Sequence, residues 1–222
     1  MKLLVLDIET SGPHMLYNFI VSIGACVVDI KTEQVLVEHD FEIYLKQPAD
    51  RCFDKQCFDE FWNKPFKHGE KMTRLEKSNE RGTEIGMLMP HDAMYMFAHY
   101  VSRVFKTFKH EEVHIITDTA GFDIGWLNYY LNMYFPRNRL FTSLETASGH
   151  YIAPRDMTSY NLGLLQRPLN ANVTDKDLQY VADKKFSKYQ KKQRHNHNPL
   201  VDAKCIGMRA AFVLNFTCEE KE

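Results

Sequence analysis

Two carboxylates lie two positions apart at the end of an apolar segment near the start of the chain. Leu-Leu-Val-Leu at 3–6 is followed by Asp7, Ile8 and Glu9, and Ser-Gly-Pro at 11–13 provides a turn. This pattern predicts a buried β-strand that the turn closes. Because successive side chains of a strand point to opposite faces, Asp7 and Glu9 share one face while Ile8 packs on the other.

Two acids held on one face need charge compensation. Like charges roughly 4 Å apart repel by about 4 kcal/mol at an effective dielectric of about 20, so a rigid pair requires a proton, a basic partner or a cation. No Lys or Arg lies close to Asp7 and Glu9 in the sequence. The alternative is an exposed strand end with two solvated acids, and acids elsewhere in the chain decide between these interpretations.

Two further acids lie at the predicted starts of helices. Asp123 falls on the first turn of a helix that directly follows a predicted buried strand at 113–117. Asp202 lies near the start of a final helix predicted from about 199 to 216, and His197 lies five residues before it. An acid on a first turn can also simply complement the helix dipole, and a lone histidine before a helix is more often a cap or a surface residue.

The elements that position these residues describe an α/β chain. Strand-like segments at 19–29, 34–37 and 39–45 are joined by short turns and predict an antiparallel meander. Apolar residues recur at helical spacing from 90 to 108. The strand at 113–117 runs through a turn into a helix, which is typical of α/β proteins.

Three shorter elements are also predicted. Residues 53–62 are consistent with a short amphipathic helix, residues 140–144 with a last strand and residues 161–165 with a short helix. The aromatic residues expected to face inward from the first of these are Phe58, Phe61 and Trp62.

Composition limits the class of protein. The 222 residues are 44% apolar and 26% charged with a net charge of −1, which is ordinary for a soluble globular protein of one domain. Five cysteines without a C-x-x-C pair argue against a disulfide framework and a zinc ribbon. Since the sequence shows neither a signal-peptide pattern nor an apolar segment of about 18 residues, we expect a soluble intracellular protein, cytoplasmic by default, without a membrane partner.

The order of the acids resembles that of the DEDDh, or DnaQ-like, 3′-5′ exonuclease family. Asp7-Ile8-Glu9, Phe122-Asp123 and His197-x-x-x-x-Asp202 occur in the family's order. The residues around them extend the resemblance over Leu6–Gly12, Ser22–Ala25, Ala120–Leu127 and His197–Ala203. Three motifs in order, on compatible predicted elements, are far more specific than an isolated D-x-E.

The resemblance implies an α/β fold of the RNase H-like type, with a central mixed sheet of antiparallel and parallel strands flanked by helices. It also implies that Asp7, Glu9, Asp123 and Asp202 bind two Mg²⁺ ions, which Mn²⁺ can replace, and that His197 is the general base. The expected reaction is hydrolysis of single-stranded DNA or RNA from the 3′ end to nucleoside 5′-monophosphates. A two-metal site and a histidine, whose unperturbed pKa is about 6.5, suit this chemistry at neutral pH.

The chain departs from the family's pattern in two respects. Family members often carry His-Asn shortly before the Phe-Asp pair, where this chain has Asp118-Thr119. Asp118 therefore competes for the second-motif position, and we prefer Asp123 because it follows Phe122 and opens a helix. Insertions at about 46–92 and 168–196 within the single domain 1–222 are not explained by the family core, and we expect them to set substrate choice.

Two groups of residues are candidates for substrate binding. By resemblance, the turn residues Thr10, Ser11 and Gly12 lie against the terminal nucleotide. A basic run before His197 consists of Lys184, Lys185, Lys188, Lys191, Lys192 and Arg194. Such a run is usually a solvated helix face, and the alternative is that its last three members hold phosphates of the substrate strand.

Other interpretations stay open at this point. A noncatalytic nucleic-acid-binding module is disfavoured because all five family positions are filled, and an RNase H-like endonuclease leaves the spacing of His197 and Asp202 without a reason. A zinc site of His195, His197 and Cys205 is disfavoured, because His195 lies outside the DEDDh motifs. No residue identifies a contact to the 2′-hydroxyl, so DNA and RNA are equally plausible substrates. A homodimer is compatible with the sequence, which locates no interface.

Overall fold

A computed structural model of the chain describes four ranges of residues. These are 1–63, 87–136, 155–156 and 198–218. The strand predicted at 140–144, the helix predicted at 161–165 and the insertion at 168–196 lie outside the described residues, so they stay predictions, as does the single domain. No helix in the described ranges is both long and apolar enough to cross a lipid bilayer.

Six strands of the described residues form one mixed sheet, as the resemblance implies. They are β1 (Lys2–Thr10), β2 (Ile20–Asp29), β3 (Gln34–Val35), β4 (Phe41–Tyr44), β5 (Val113–Thr117) and β6 (Arg155–Asp156). β1 pairs antiparallel with β2 on one side and parallel with β5 on the other, and β5 pairs parallel with β6. The central position of β1 explains its continuous apolar run, because both of its faces are covered.

The strands after β2 pair differently from the predicted meander. Both β3 and β4 are antiparallel to β2, but they pair with two different stretches of the same edge of it. A 3₁₀ turn at Val37–His39 carries the chain along that edge from one stretch to the other. The strands therefore do not pair successively, because β2 is long enough to accommodate both neighbours.

Four helices flank the sheet in the described ranges. They are α1 (Lys55–Cys57), α2 (Pro90–Thr107), α3 (Ala120–Tyr134) and α4 (Pro199–Cys218). α2 closely matches the helix predicted from 90 to 108. α1 continues as a π-helical turn at Phe58–Trp62, which changes the spacing of its side chains. Trp62 is buried as predicted, whereas the inward orientation expected for Phe58 is wrong, since that residue is 40% exposed.

Alternation along β1 divides its side chains between two layers. The even-numbered side chains of Leu4–Ile8 belong to the larger apolar core, in which α2 and α3 cover one face of the sheet. Leu3 and Val5 belong to a second core beneath α4 on the opposite face. Asp7 and Glu9 continue this odd-numbered series, so the fold directs both carboxylates to the face covered by α4.

α4 approaches β2 closely at two glycines. A Cβ atom on Gly24 would lie 2.1 Å from backbone atoms of Pro199 and Leu200 at the start of α4. A Cβ atom on Gly207, within α4, would lie 2.6 Å from Val28 Cγ2 on β2. The two glycines, which have no side chain, therefore allow α4 to lie this close to the sheet.

We expect Gly24→Ala to lower the free energy of unfolding by about 1–3 kcal/mol, because the backbone of α4 must move to accommodate the methyl group. Urea denaturation followed by circular dichroism measures the change. Gly121→Ala is the matched control, since nothing lies within 4 Å of a Cβ atom there and alanine is the better helix former. Equal stability of both variants would contradict the close approach of α4.

Candidate active site

Three carboxylates meet at the carboxyl end of β1. Asp7 and Glu9 belong to β1, and Asp202 belongs to the first turn of α4. Potential ligand oxygens of the three side chains all lie within 4.8 Å of one another. The structure therefore brings together acids from opposite ends of the chain, as the motif order implies.

The docking of α4 explains why Asp202 reaches this cluster. Gly24 pairs with Asp7 across β1 and β2, and α4 begins directly over Gly24. The backbone N–H of Asp202 donates to the carbonyl oxygen of Asn198 at 2.9 Å, which fixes Asp202 on the first helical turn. That turn thus holds Asp202 over the strand that carries Asp7 and Glu9.

A fourth carboxylate, that of Asp123, comes from the other layer of the fold. β5 runs parallel to β1, so the chain leaves β5 and enters α3 beside the carboxyl end of β1. Asp123 lies on the first turn of α3, is only 4% exposed, and accepts a hydrogen bond from the backbone N–H of Thr119 at 3.3 Å. This burial distinguishes it from an acid that merely complements the helix dipole at the surface.

Asp118, the competing acid, has a different environment. Its side chain is exposed. Burial is the main cause of a raised pKa at Asp7, and among the neighbouring charges Asp123 contributes most and Asp118 least. This geometry supports Asp123 for the second-motif position, and its role in metal binding stays a prediction.

Burial of the cluster changes the protonation of its acids. Burial, and then the charges of Asp123, Glu9 and Asp202, raise the pKa of Asp7 well above its usual value. Burial, together with Asp202 and Asp123, raises the pKa of Glu9 to about 9. Burial raises the pKa of Asp123 to about 7, although the backbone N–H of Thr119 acts in the opposite direction. Without a cation, the site therefore retains protons near neutral pH.

The donor set fits a hard divalent cation. Carboxylate oxygens are the ligands that Mg²⁺ and Mn²⁺ prefer, and the cluster offers three carboxylates within reach of one another. A divalent ion also compensates the repulsion between the acids. The cluster is a candidate metal centre, and the choice of Mg²⁺ and the number of ions stay predictions.

The structure describes some of the other predicted site residues and not others. His197 and the basic residues Lys191, Lys192 and Arg194 lie outside the described residues, so their roles stay predictions. Thr10 is the last residue of β1, and Ser11 and Gly12 begin the β1–β2 loop at 11–19, directly beyond Glu9. Their positions next to the acidic cluster are compatible with substrate binding.

The segment at 46–63 holds the backbone of this loop. Ser11 Oγ and Asn18 Nδ2 both donate to the carbonyl oxygen of Cys52 at 3.0 Å. The backbone N–H of Asp54 donates to the carbonyl oxygen of Ser11 at 2.8 Å, and Trp62 Nε1 donates to that of Thr10 at 3.1 Å. The first part of the predicted insertion at 46–92 therefore supports the backbone directly beyond the acidic cluster.

Arg51 is a structural residue of the segment at 46–63 that the sequence did not reveal. Its buried guanidinium donates to the carbonyl oxygens of Met15 and Asn18, and also to the hydroxyl of Tyr129 at 2.9 Å. The side chain thereby joins the β1–β2 loop to α3. No local periodicity indicates this role, because the three acceptors come from distant parts of the chain.

Several solved structures have a fold similar to that of this chain. It aligns over 97% of its length with cell-death related nuclease 4 (CRN-4), of which it covers 64%, at a TM-score of 0.56 and 14% identity. It aligns over 98% with the nuclease domain of 3′hExo, a DEDDh family member, covering 94% of that domain at a TM-score of 0.52 and 14% identity. Escherichia coli exonuclease I in complex with a dT13 oligonucleotide aligns with 96% of this chain, which covers 40% of that one, at a TM-score of 0.54 and 16% identity. The chain thus has the RNase H-like fold of these nucleases.

A curated relative supports the resemblance by sequence. The chain is 30% identical over 132 residues to the 3′-5′ DNA exonuclease Cap18 of Escherichia coli. The match includes 60% of this chain and spans 58% of the length of that relative. No family model matches the chain. The resemblance to the DEDDh exonucleases, first seen in the motifs, is confirmed by this relative and by the shared fold.

In metal-free protein, we expect the free energy of unfolding to fall as pH rises between about 4.5 and 9. The folded state holds the proton of Glu9 up to a pKa of about 9, against an ordinary value of 4.5. Protonation therefore favours folding at low pH, and each pH unit in this window costs up to about 1.4 kcal/mol for one group. Denaturation in EDTA at several pH values measures the slope.

A matched pair of variants isolates the cause of this slope. Glu9→Gln is expected to reduce it, whereas Glu38→Gln, at an exposed acid, is expected to leave it unchanged. Mg²⁺ or Mn²⁺ is expected to restore stability at high pH. A slope that is the same for Glu9→Gln and the unmodified protein would contradict the coupling of Glu9 to folding.

Proposed function

We propose that the protein is a divalent-metal-dependent 3′-5′ exonuclease of the DEDDh type. The observation that carries the proposal is the cluster of Asp7, Glu9 and Asp202 at the carboxyl end of the central strand. The proposal also draws on the named activity of Cap18, a 3′-5′ DNA exonuclease. Because the match spans 58% of that relative, its activity is not transferred without a test.

Four acids would hold the metal ions in this proposal. They are Asp7, Glu9, Asp123 and Asp202. When bound, two divalent ions supply charge neutralisation at the phosphate and lower the pKa of the attacking water. The chain contributes a rigid arrangement of ligands from β1, α3 and α4, which fixes the scissile phosphate with little reorganisation.

His197 would act as the general base. Its position in the sequence, two residues before the start of α4, supports this role. Asn198 Oδ1 accepts a hydrogen bond from the backbone N–H of Val201 at 2.9 Å, and this cap defines where the chain enters the helix. The imidazole would take a proton from the attacking water, for which an unperturbed pKa of about 6.5 is suitable.

The β1–β2 loop would bind the terminal nucleotide. Thr10 is the last residue of the strand that carries Asp7 and Glu9, and Ser11 and Gly12 follow it directly. The segment at 46–63 holds the backbone of Thr10 and Ser11. Lys191, Lys192 and Arg194 would hold phosphates further along the strand, which would make binding salt-dependent. Among the neighbours, exonuclease I is bound to a dT13 oligonucleotide and the 3′hExo domain to rAMP, so both DNA and RNA are substrates to test.

We expect 5′-labelled single-stranded DNA or RNA to shorten from the 3′ end in Mg²⁺ or Mn²⁺, and EDTA to abolish the reaction. Asp7→Asn and Asp123→Asn are expected to remove detectable turnover, and His197→Ala to reduce it by about 10²–10⁴-fold. Asp118→Asn is the control, because its exposed carboxylate lies outside the cluster. Gel analysis of the ladder and chromatography of the 5′-monophosphates measure the result.

Other outcomes of this experiment point to other functions. Cleavage of a circular single strand would indicate an endonuclease. Binding of nucleic acid without turnover at any metal concentration would indicate a noncatalytic module. Loss of activity in Asp118→Asn but not in Asp123→Asn would assign the second-motif position to Asp118.

We expect Arg51→Ala to raise KM for a short oligonucleotide by about tenfold with a smaller change in kcat. Loss of a buried charged hydrogen-bond donor costs about 1.5–3 kcal/mol. Here the lost hydrogen bonds are those that hold the β1–β2 loop, so the substitution weakens substrate binding by this loop. Lys55→Ala is the control, because that lysine is exposed in the same segment. A fall in kcat alone, with KM unchanged, would contradict a role in substrate binding.

A further inference from the structure

The face of the sheet that carries the metal-binding acids has another carboxylate. Asp7 pairs with Gly24 on β2, and Gly24 pairs with Glu42 on β4. Residues paired across neighbouring strands point to the same face, so Glu42 lies on the face of Asp7, at about 10 Å from it along the sheet. The sequence places Glu42 outside every motif, and the register alone reveals this relation.

Gly24 leaves a gap between these two acids, and the start of α4 fills it. A Cβ atom on Gly24 would lie 2.1 Å from the Leu200 nitrogen. Glu42 Oε1 accepts a hydrogen bond from Asn198 Nδ2 at 2.7 Å and another from the hydroxyl of Tyr44 at 2.6 Å. The carboxylate thus joins β4 to the residue that precedes α4.

Asn198 connects Glu42 to the metal site through the backbone of α4. Its side chain donates to Glu42 while its Oδ1 accepts from the backbone N–H of Val201 at 2.9 Å. Its carbonyl oxygen accepts from the backbone N–H of Asp202 at 2.9 Å. Both ends of one amide are therefore engaged, so its orientation is fixed relative to the sheet and to the first helical turn.

We propose that Glu42 is a positioning residue for the metal site: through Asn198 it fixes the start of α4, and thereby the Asp202 carboxylate, relative to Asp7 and Glu9. Burial, and then the hydrogen bond to Glu42, raise the pKa of Tyr44, so its hydroxyl remains a donor to that carboxylate. The effect on catalysis rests on the proposed function, whereas the effect on metal binding does not.

A second link between α4 and the same part of the chain provides a control. Lys204 Nζ, on α4, forms an ion pair with Asp40, directly before β4. This link lies beyond Asp202 on α4 and consists of two residues other than Glu42 and Asn198. Asp40→Asn removes the same unit of charge as Glu42→Gln, so it separates general docking of α4 from fixation of Asn198, the residue that precedes the helix.

The first experiment measures Mn²⁺ binding to the full chain without nucleic acid, by titration followed with electron paramagnetic resonance. Glu42→Ala is expected to weaken binding by about 10–100-fold, the loss typical of a residue that orients a metal ligand. Glu42→Gln keeps an acceptor for Asn198 and is expected to stay within about threefold of the unmodified protein, as is Asp40→Asn. Circular dichroism establishes that each variant is folded.

A swap of the two side chains makes the test specific to their contact. Asn198→Asp keeps an acceptor for Val201 but faces the carboxylate of Glu42, so we expect it to weaken Mn²⁺ binding as much as Glu42→Ala does. Combining Asn198→Asp with Glu42→Gln restores a donor and an acceptor at unchanged total charge, and is expected to recover binding. In steady-state assays the same variants should change kcat while KM for the oligonucleotide stays within about twofold.

The outcomes separate this proposal from the proposed function. If the unmodified protein binds Mn²⁺ but cleaves no nucleic acid, the exonuclease assignment fails and the binding series still tests Glu42. Unchanged Mn²⁺ binding in Glu42→Ala, an equal loss in Asp40→Asn, or failure of the swap to recover binding would each overturn the role of Glu42. Absence of Mn²⁺ binding in the unmodified protein would overturn both proposals.

Discussion

Mutual repulsion of buried carboxylates is the constraint on which the rest of the structure depends. At roughly 4 Å and an effective dielectric of about 20, each pair of ionised acids costs about 4 kcal/mol. A domain of ordinary stability has only about 5–15 kcal/mol in total. The chain can hold Asp7, Glu9 and Asp202 together because they belong to elements fixed by extensive packing elsewhere, and because protons or cations neutralise them.

The two layers of the fold provide this rigidity in different ways. Large side chains such as Phe97, Trp126 and Tyr130 fill the layer formed by α2 and α3. Under α4, glycine and alanine let the helix lie close to β1 and β2, as at Gly24 and Ala203. A helix held at short range by backbone contact has little freedom to shift, which suits an element that carries one member of the carboxylate cluster.

Local sequence patterns were sufficient for those features that depend on one element. The two-residue spacing in β1 predicted that Asp7 and Glu9 share a face, and helical spacing predicted α2 almost to its ends. The pairing of β3 and β4 with the same edge of β2, and the contact between Glu42 and Asn198, depend on register between distant segments. Periodicity carries no information on such register, so these features required the structure.

The β1–β2 loop is an irregular segment whose backbone is fixed, although it carries none of the clustered acids. Leu16 and Tyr17 are about two-thirds exposed, yet the backbone around them is fixed by Arg51 and by the carbonyl oxygen of Cys52. An exposed side chain on a fixed backbone loses less conformational entropy on binding than one on a mobile loop. Under the proposed function, substitutions at 46–63 would therefore act on substrate affinity through the loop, while the acids on β1 would keep their geometry.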